Sequence, residues 1–246
     1  MENAIEVQNL SKSFYLFQKD YQILQWLFTK KGYEYEKKVL DNLSFTVKKG
    51  ETVGLIGING AGKSTLMKLI AGITYPTSGT AIVNGKVGSL INLSAGFDQD
   101  YTGRRNIYYK ATIMGMSRTE IDNIIDDICD FVELGEYFDR PIRMYSSGMS
   151  ARLGFALAVF SNPEILIIDE VLAVGDKNFQ NKSRAKVIEM FNAGKSVIFS
   201  SHSDALIRQF CSRVIYLKDG RIVFDGDVEE GLHKYNEDTT KKKIHT

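Results

Sequence analysis

An α/β fold is the class this sequence predicts, and three observations predict it. Short runs rich in Val, Ile and Leu alternate with helical patterns along most of the 246 residues. One such run, ETVGLIG (51–57), passes directly into a glycine-rich turn and then a helical stretch. Two later runs, EILIID (164–169) and KSVIFSS (195–201), are apolar and short, as strands buried on both faces of a parallel sheet are.

Taken in order, IEVQNL and LSFTV read as strands flanking an irregular piece. That piece, residues 18–38, breaks the rhythm. Read as a helix, it puts Tyr21, Ile23, Leu24, Leu27 and Phe28 on one broad arc, with Trp26 at its edge and Lys30 and Lys31 behind. Two readings stand: a helix packed on its own domain, or one facing a membrane surface or a partner. After ETVGLIG comes a helix, KSTLMKLIAG, closed by Gly72, then the turn TYPTSG and two short strands, TAIVNG and KVGSLI. Residues 104–134 turn helical, with Ile121, Ile124, Ile125, Ile128 and Val132 on one stripe. RVIYLKDGRIVFDG (213–226) reads as a hairpin turning at Asp219-Gly220. The tail TTKKKIHT reads as solvated and frayed.

Composition narrows the function classes. A formal net charge of +1 gives no basic bias, so no nucleic-acid partner is expected. No apolar run approaches the ~18–20 residues needed to span a bilayer, and the N-terminus has no signal-peptide pattern, so a cytoplasmic location is expected. Cys129 and Cys211 match no metal spacing and are expected as reduced thiols.

GINGAGKST (57–65) fits the phosphate-loop pattern through Gly57, Gly62, Lys63 and Ser64, with a strand before it and a helix after. The glycines let backbone N–H groups close around phosphate oxygens. Lys63 adds a point charge near the β- and γ-phosphates, and the Ser64 hydroxyl suits Mg²⁺. Asp169, ending an apolar strand, suits the Mg²⁺ shell, and Glu170 can polarise a water for in-line attack. His202, after the strand KSVIFSS, is placed to reach a γ-phosphate. No complete G-x-G-x-x-G follows a strand, which argues against a dinucleotide fold. A second anion-binding feature stands at MYSSGMSARLGF (144–155): two serines and a glycine lead into an apolar helical run whose free N–H groups suit an anion.

The order of these pieces, ending in DE, AVGD and His202, resembles the nucleotide-binding subunit of ABC transporters over residues 4–226. The resemblance implies a P-loop NTPase fold of the ABC ATPase type over 1–246 as a single domain. Its parts would be a mixed central sheet, an N-terminal antiparallel β part, a helical subdomain at about 93–160 and a short tail at about 227–246. It implies ATP and Mg²⁺ as cofactors, with Asn59, Gly60, Ala61 and Thr65 completing the loop around the phosphates. It implies a head-to-tail dimer with a second copy of the chain, in which Ser146, Ser147 and Gly148 close over the partner's γ-phosphate and Asp176 lies in a loop crossing the interface. Ser147 stands at the family's first signature glycine and Met149 at its glutamine. Phe14 falls where an aromatic stacks on adenine, and Asn92 where a glutamine contacts Mg²⁺ and the membrane subunit.

YSSGM, SAGF…TGRRNIY, DEVLAVGD and the insertion together resemble the bacterial exporters of O-antigen, capsule and teichoic acid. That narrower resemblance implies a multi-span permease partner, a lipid-linked polysaccharide as cargo and a place at the cytoplasmic face of the inner membrane. The alternatives are the ATPase of a drug or lipid exporter and, further off, a soluble ABC ATPase.

Overall fold

In the computed structural model, described over residues 2–17, 26, 29, 33–169 and 175–244, the chain divides into two units. The first takes in 1–48, 53–84 and 202–246. Its strand β1 (Asn3–Leu16) pairs antiparallel with β2 (Tyr35–Lys48) and, on the other side, with β4 (Ser78–Val83). The period-two pattern of LSFTV decides which face is inward: Leu43, Phe45 and Val47 are buried while Ser44 and Thr46 are exposed. Strand β3 (Thr52–Ile56) runs parallel to β8 (Arg213–Lys218), which turns back antiparallel into β9 (Arg221–Gly226), giving a mixed arrangement. Asp219 (φ 48°) and Gly220 (φ 75°) make that turn in the left-handed region, as their sequence predicts. Helix α1 (Lys63–Ile70) follows β3, and α6 (Asp204–Phe210) and α7 (Val228–Ile244) complete the unit.

The second unit covers 49–52 and 85–201. Its strands β5 (Val87–Ser89), β6 (Ile165–Ile168) and β7 (Ser196–Ser200) are parallel neighbours. Every residue of β6 and β7 is buried, which accounts for their unbroken apolar character. Helices α2 (Gly103–Ile113), α3 (Arg118–Val132) and α4 (Ser147–Phe160) fall in the region read as helical, and α5 (Lys177–Asn192) precedes β7. Ser117 and Glu120 form a capping box at the start of α3, and Ile121, Ile125, Ile128 and Val132 are its buried stripe. Ile124 sits at the edge of that stripe, half-buried. Gly154 is required on α4 because a Cβ there would collide with the Leu93 carbonyl.

Two expectations need correction. The tail is not frayed where described: α7 continues to Ile244, held by Asp238 and Tyr235 against β8. The 18–38 segment is not one helix, because β2 begins at Tyr35 and Leu16 of β1 pairs with it, so the last part of the segment is strand. Trp26 and Thr29 are helical. Trp26 is half-buried, its ring 5.0 Å from Tyr15 and 6.0 Å from Phe17, so it packs on β1's end rather than standing clear. Tyr21, Ile23, Leu24, Leu27, Phe28, Lys30 and Lys31 lie outside the described residues. Both cysteines are free, and burial pushes the Cys211 thiol up to about 12.

Candidate functional site: a phosphate loop and a second helix start

In the first unit, β3 runs into the loop 57–62 and out through α1. Gly57 (φ 153°), Gly60 (φ 83°) and Gly62 (φ 104°) all lie where side chains are disfavoured. Sterics reinforce two of them: a Cβ on Gly57 would meet the Leu217 carbonyl, and one on Gly62 would lie 2.6 Å from Leu40 Cδ2. Gly60 has open space around it, and Asn59 is exposed beside it. Gly62 caps α1 with no side-chain hydrogen bond, and no acidic residue lies in the first turn. A helix start with its positive dipole end and no carboxylate beside it suits an anion. Lys63 donates its ammonium back to the carbonyls of Gly57 (2.5 Å) and Ile58 (3.2 Å), arching over the loop that phosphate would fill. Ser64 is exposed in the first turn, Thr65 half-buried behind it and Ala61 buried. These features fit a phosphate chain with a metal at its edge.

Two further residues of this unit were singled out. Phe14 is 49% exposed on β1, opposite Lys37, with the Lys12 ammonium 5.1 Å from its ring centre. An aromatic face this open can stack on a base. His202 is exposed, one residue ahead of Ser203, which caps α6.

The second unit holds the other singled-out residues. Ser146 is the N-cap of α4, its Oγ accepting the Met149 N–H at 3.2 Å, and Ser147 opens the helix, exposed. Ser146, Gly148, Met149, Arg152 and Asp176 line an open groove of about 610 Å³, with Glu133 and Tyr137 among its walls. Asp176 caps α5 by accepting the Phe179 N–H at 2.9 Å, and it also accepts from Arg152 Nη2 at 2.6 Å. The Phe179 N–H bond, together with Arg152 and against desolvation, holds its carboxyl below the usual range. The loop after β5 places Asn92, exposed, at φ 52°. Asn is among the few side chains that enter this left-handed region readily, which accounts for an Asn at this turn. Asp169 follows β6, half-buried, and Glu170 lies outside the described residues. No cluster of His, Cys, Asp and Glu suited to a metal occurs among the described residues.

Sequence reasoning passed over Arg152 and Lys110. Arg152 is the one charged residue in the apolar α4, which is signal enough. Besides Asp176, its guanidinium lies 4.9 Å from the Phe179 ring, tying α4 to the start of α5. Lys110 on α2 donates to the carbonyls of Ala95 (2.8 Å) and Leu93 (3.3 Å), pinning the loop after Asn92. Burial lowers its pKa. Nothing in its sequence surroundings marks it.

A strand–phosphate loop–helix unit within an α/β chain defines a P-loop nucleotide-binding domain. Residues 40–173 match the ABC transporter family, and the chain belongs to it. It is 40% identical over 238 residues to the teichoic acids export ATP-binding protein TagH of Bacillus anthracis, covering 96% of this chain and 43% of that one. To the O-antigen export system ATP-binding protein RfbB of Klebsiella pneumoniae it is 39% identical over 251 residues, covering 96% of this chain and 99% of that one. The RfbB of Myxococcus xanthus is 42% identical over 218 residues, covering 88% and 50%. The chain thus spans about half the length of several of these relatives. Among solved structures, an ATP-binding subunit of an ABC transporter superposes with a TM-score of 0.72 at 23% identity, covering 95% of this chain and 93% of that one. A dimeric ATP-binding cassette bound to ADP and phosphate gives 0.69 at 21%, covering 91% and 98%. At such identity these show the fold, which is the ABC ATPase fold expected from sequence. No helix among the described residues is long and apolar enough to cross a membrane.

Proposed function

We propose that this chain is the ATP-hydrolysing subunit of an ABC exporter that drives a lipid-linked cell-surface polysaccharide across the bacterial inner membrane. The cargo class is that of teichoic acid, capsule or O-antigen. The subunit works as a head-to-tail homodimer docked on a multi-span permease at the cytoplasmic face. The observation that carries the reading is the second helix start. Ser146 and Gly148 line an open groove at the N-terminus of α4, in a chain that already has a complete phosphate loop. Relatives of the chain with export names support the cargo class.

The residues divide the work. Backbone N–H groups of the loop and of the first turn of α1, with the Lys63 ammonium, hold the β- and γ-phosphates of ATP. Phe14 stacks on the adenine. Mg²⁺, which neutralises phosphate charge when bound, would be held by Ser64 and Asp169. Glu170 orients and deprotonates the attacking water, and His202 steadies the γ-phosphate. The α4 N-terminus of the second copy supplies further donors and a positive dipole end, completing the electrostatic cage. Asp176 belongs to the loop that meets the partner, and Asn92 to the one that meets the permease.

The test is Glu170→Gln. The general base is lost while the phosphate-holding groups remain, so ATP binding persists, turnover falls by about 10²-fold or more, and the chain accumulates as an ATP-dependent dimer on size exclusion. Near-normal hydrolysis overturns the assignment. In cells the same variant is expected to leave surface polysaccharide depleted and its lipid-linked precursor trapped inside.

A further inference from the structure

Three residues of the phosphate loop rest on one hairpin. Tyr216 of β8 pairs with Ile56, the last residue of β3, so Leu217 lies beside Gly57, whose missing side chain leaves room for the Leu217 carbonyl. Gly220 donates its N–H to the Ala61 carbonyl at 3.3 Å. A Cβ on Gly62 would lie 3.4 Å from Leu217 Cδ2. Where Leu217–Gly220 sits therefore decides where the phosphate-binding N–H groups point.

The carboxylate that holds this segment belongs to α7. Asp238 Oδ2 accepts from Lys218 Nζ at 2.7 Å and from the Tyr216 hydroxyl at 3.1 Å. These are the residues on either side of Leu217. Side chains alternate along a strand, so Tyr216 and Lys218 share the face turned to α7 while Leu217 faces the other way, toward the loop. The Tyr216 ring is buried and meets Tyr235 of α7 edge-on, with centroids 5.5 Å apart. A carboxylate gripping a buried hydroxyl and an ammonium on one face thus sets the position of the backbone pressed against Gly57.

We infer that Asp238 is a positioning residue for the phosphate loop, acting from the C-terminal helix through the β8–β9 hairpin. The inference rests on the reading that this loop binds a nucleotide. Loss of the carboxylate leaves the buried Tyr216 hydroxyl without this acceptor and frees Lys218. The hairpin can then shift, and donors matched to phosphate lose their alignment.

The test is titration of the purified chain with MgATP, reading both Kd and binding stoichiometry. Asp238→Ala is expected to raise Kd by about tenfold with stoichiometry unchanged, the scale of one charge-assisted hydrogen-bond pair. Asp238→Asn, which keeps an acceptor oxygen, is expected to stay within about threefold of the parent. Lys218→Gln, whose head group reaches solvent, is expected to raise Kd in the same direction. Lys234→Ala, on the same helix but bonded to the Val223 carbonyl at 3.2 Å, leaves Kd unchanged. A purely structural role would lower stoichiometry or the unfolding midpoint at constant Kd, and that result overturns the inference. If Asp238→Ala does not fold, Lys218→Gln decides, an unchanged Kd again overturning it. A parent chain with no measurable affinity for MgATP overturns the nucleotide reading itself, and this inference with it.

Discussion

Ser146 has one task in the fold and a second proposed for the same oxygen. Its Oγ caps α4 by accepting the Met149 N–H, and the same hydroxyl is the group proposed to meet the partner's γ-phosphate. Ser146→Ala is therefore expected to cost about 0.5–2 kcal/mol of folding stability, the ordinary value of an N-cap. The check is urea denaturation of the isolated chain. Unchanged stability would mean the cap does not form in solution. Gly57 is the opposite case, a residue whose role lies in what it lacks. Gly57→Ala would drive a Cβ into the Leu217 carbonyl at a backbone φ of 153°. A loss of about 1–3 kcal/mol and of nucleotide binding is expected, measured by thermal unfolding with and without ATP. The phosphate loop was legible because each of its glycines answers a demand of its own backbone or neighbours. Asn92 was legible as a position but not as a choice, since the left-handed turn that favours Asn depends on how the chain leaves β5. Arg152 is marked by its charge in an apolar helix, but its carboxylate partner Asp176, like the carbonyls that Lys110 reaches, is distant in sequence and encoded by no local pattern.

Helix α3 shows an element whose stability has a legible pH signature. Its capping box gives Glu120 bonds from the Ser117 N–H (2.7 Å) and hydroxyl (2.8 Å), and Lys86 adds an ion pair at 3.1 Å. These lower the Glu120 pKa from 4.5 to about 2. A folded pKa depressed below the unfolded one gives stability that is fully present above pH 4.5 and is lost as pH falls toward about 2. The difference in unfolding midpoint between the parent and Glu120→Gln is thus expected to be constant from pH 7 to pH 5 and to shrink below 4.5. A difference independent of pH would refute the capping role. At the other end of the chain's legibility is the insertion. The segment 18–38, read as a helix on the strength of an apolar arc that ends at Phe28, overlaps β2 at its far end, because β1 and β2 prolong their ladder to Leu16 and Tyr35. Cross-strand pairing decides the structure of 35–38, where no helical period competes with it. Trp26, the single tryptophan, packs on Tyr15 and serves as a probe of this end. Tyr15→Ala is expected to shift its emission to the red and cost about 0.5–1.5 kcal/mol, the value of an aromatic pair. Unshifted emission would show that the contact is absent in solution.

At the scale of the whole molecule, the two features proposed to meet phosphate belong to different units of the chain, the phosphate loop to one and the α4 N-terminus to the other. Their presence in sequence order was plain, because each is a local strand–turn–helix or turn–helix event with its own glycine and serine chemistry. Which copy of the chain each serves is not a local property, and it entered through family resemblance. The account holds that the phosphate loop of one copy is completed by the α4 start of the other. Two variants, each inactive alone, test this directly. Lys63→Ala removes the charge at the phosphates, and Ser146→Arg blocks the partner's site with bulk. In the mixed dimer one composite site bears both lesions, and the other joins an intact Lys63 to an intact Ser146. The account predicts that mixing the two purified chains restores ATP hydrolysis, toward about half of one parental site pair per mixed dimer. Hydrolysis that stays at background on mixing, with mixed dimers verified to form, would contradict it.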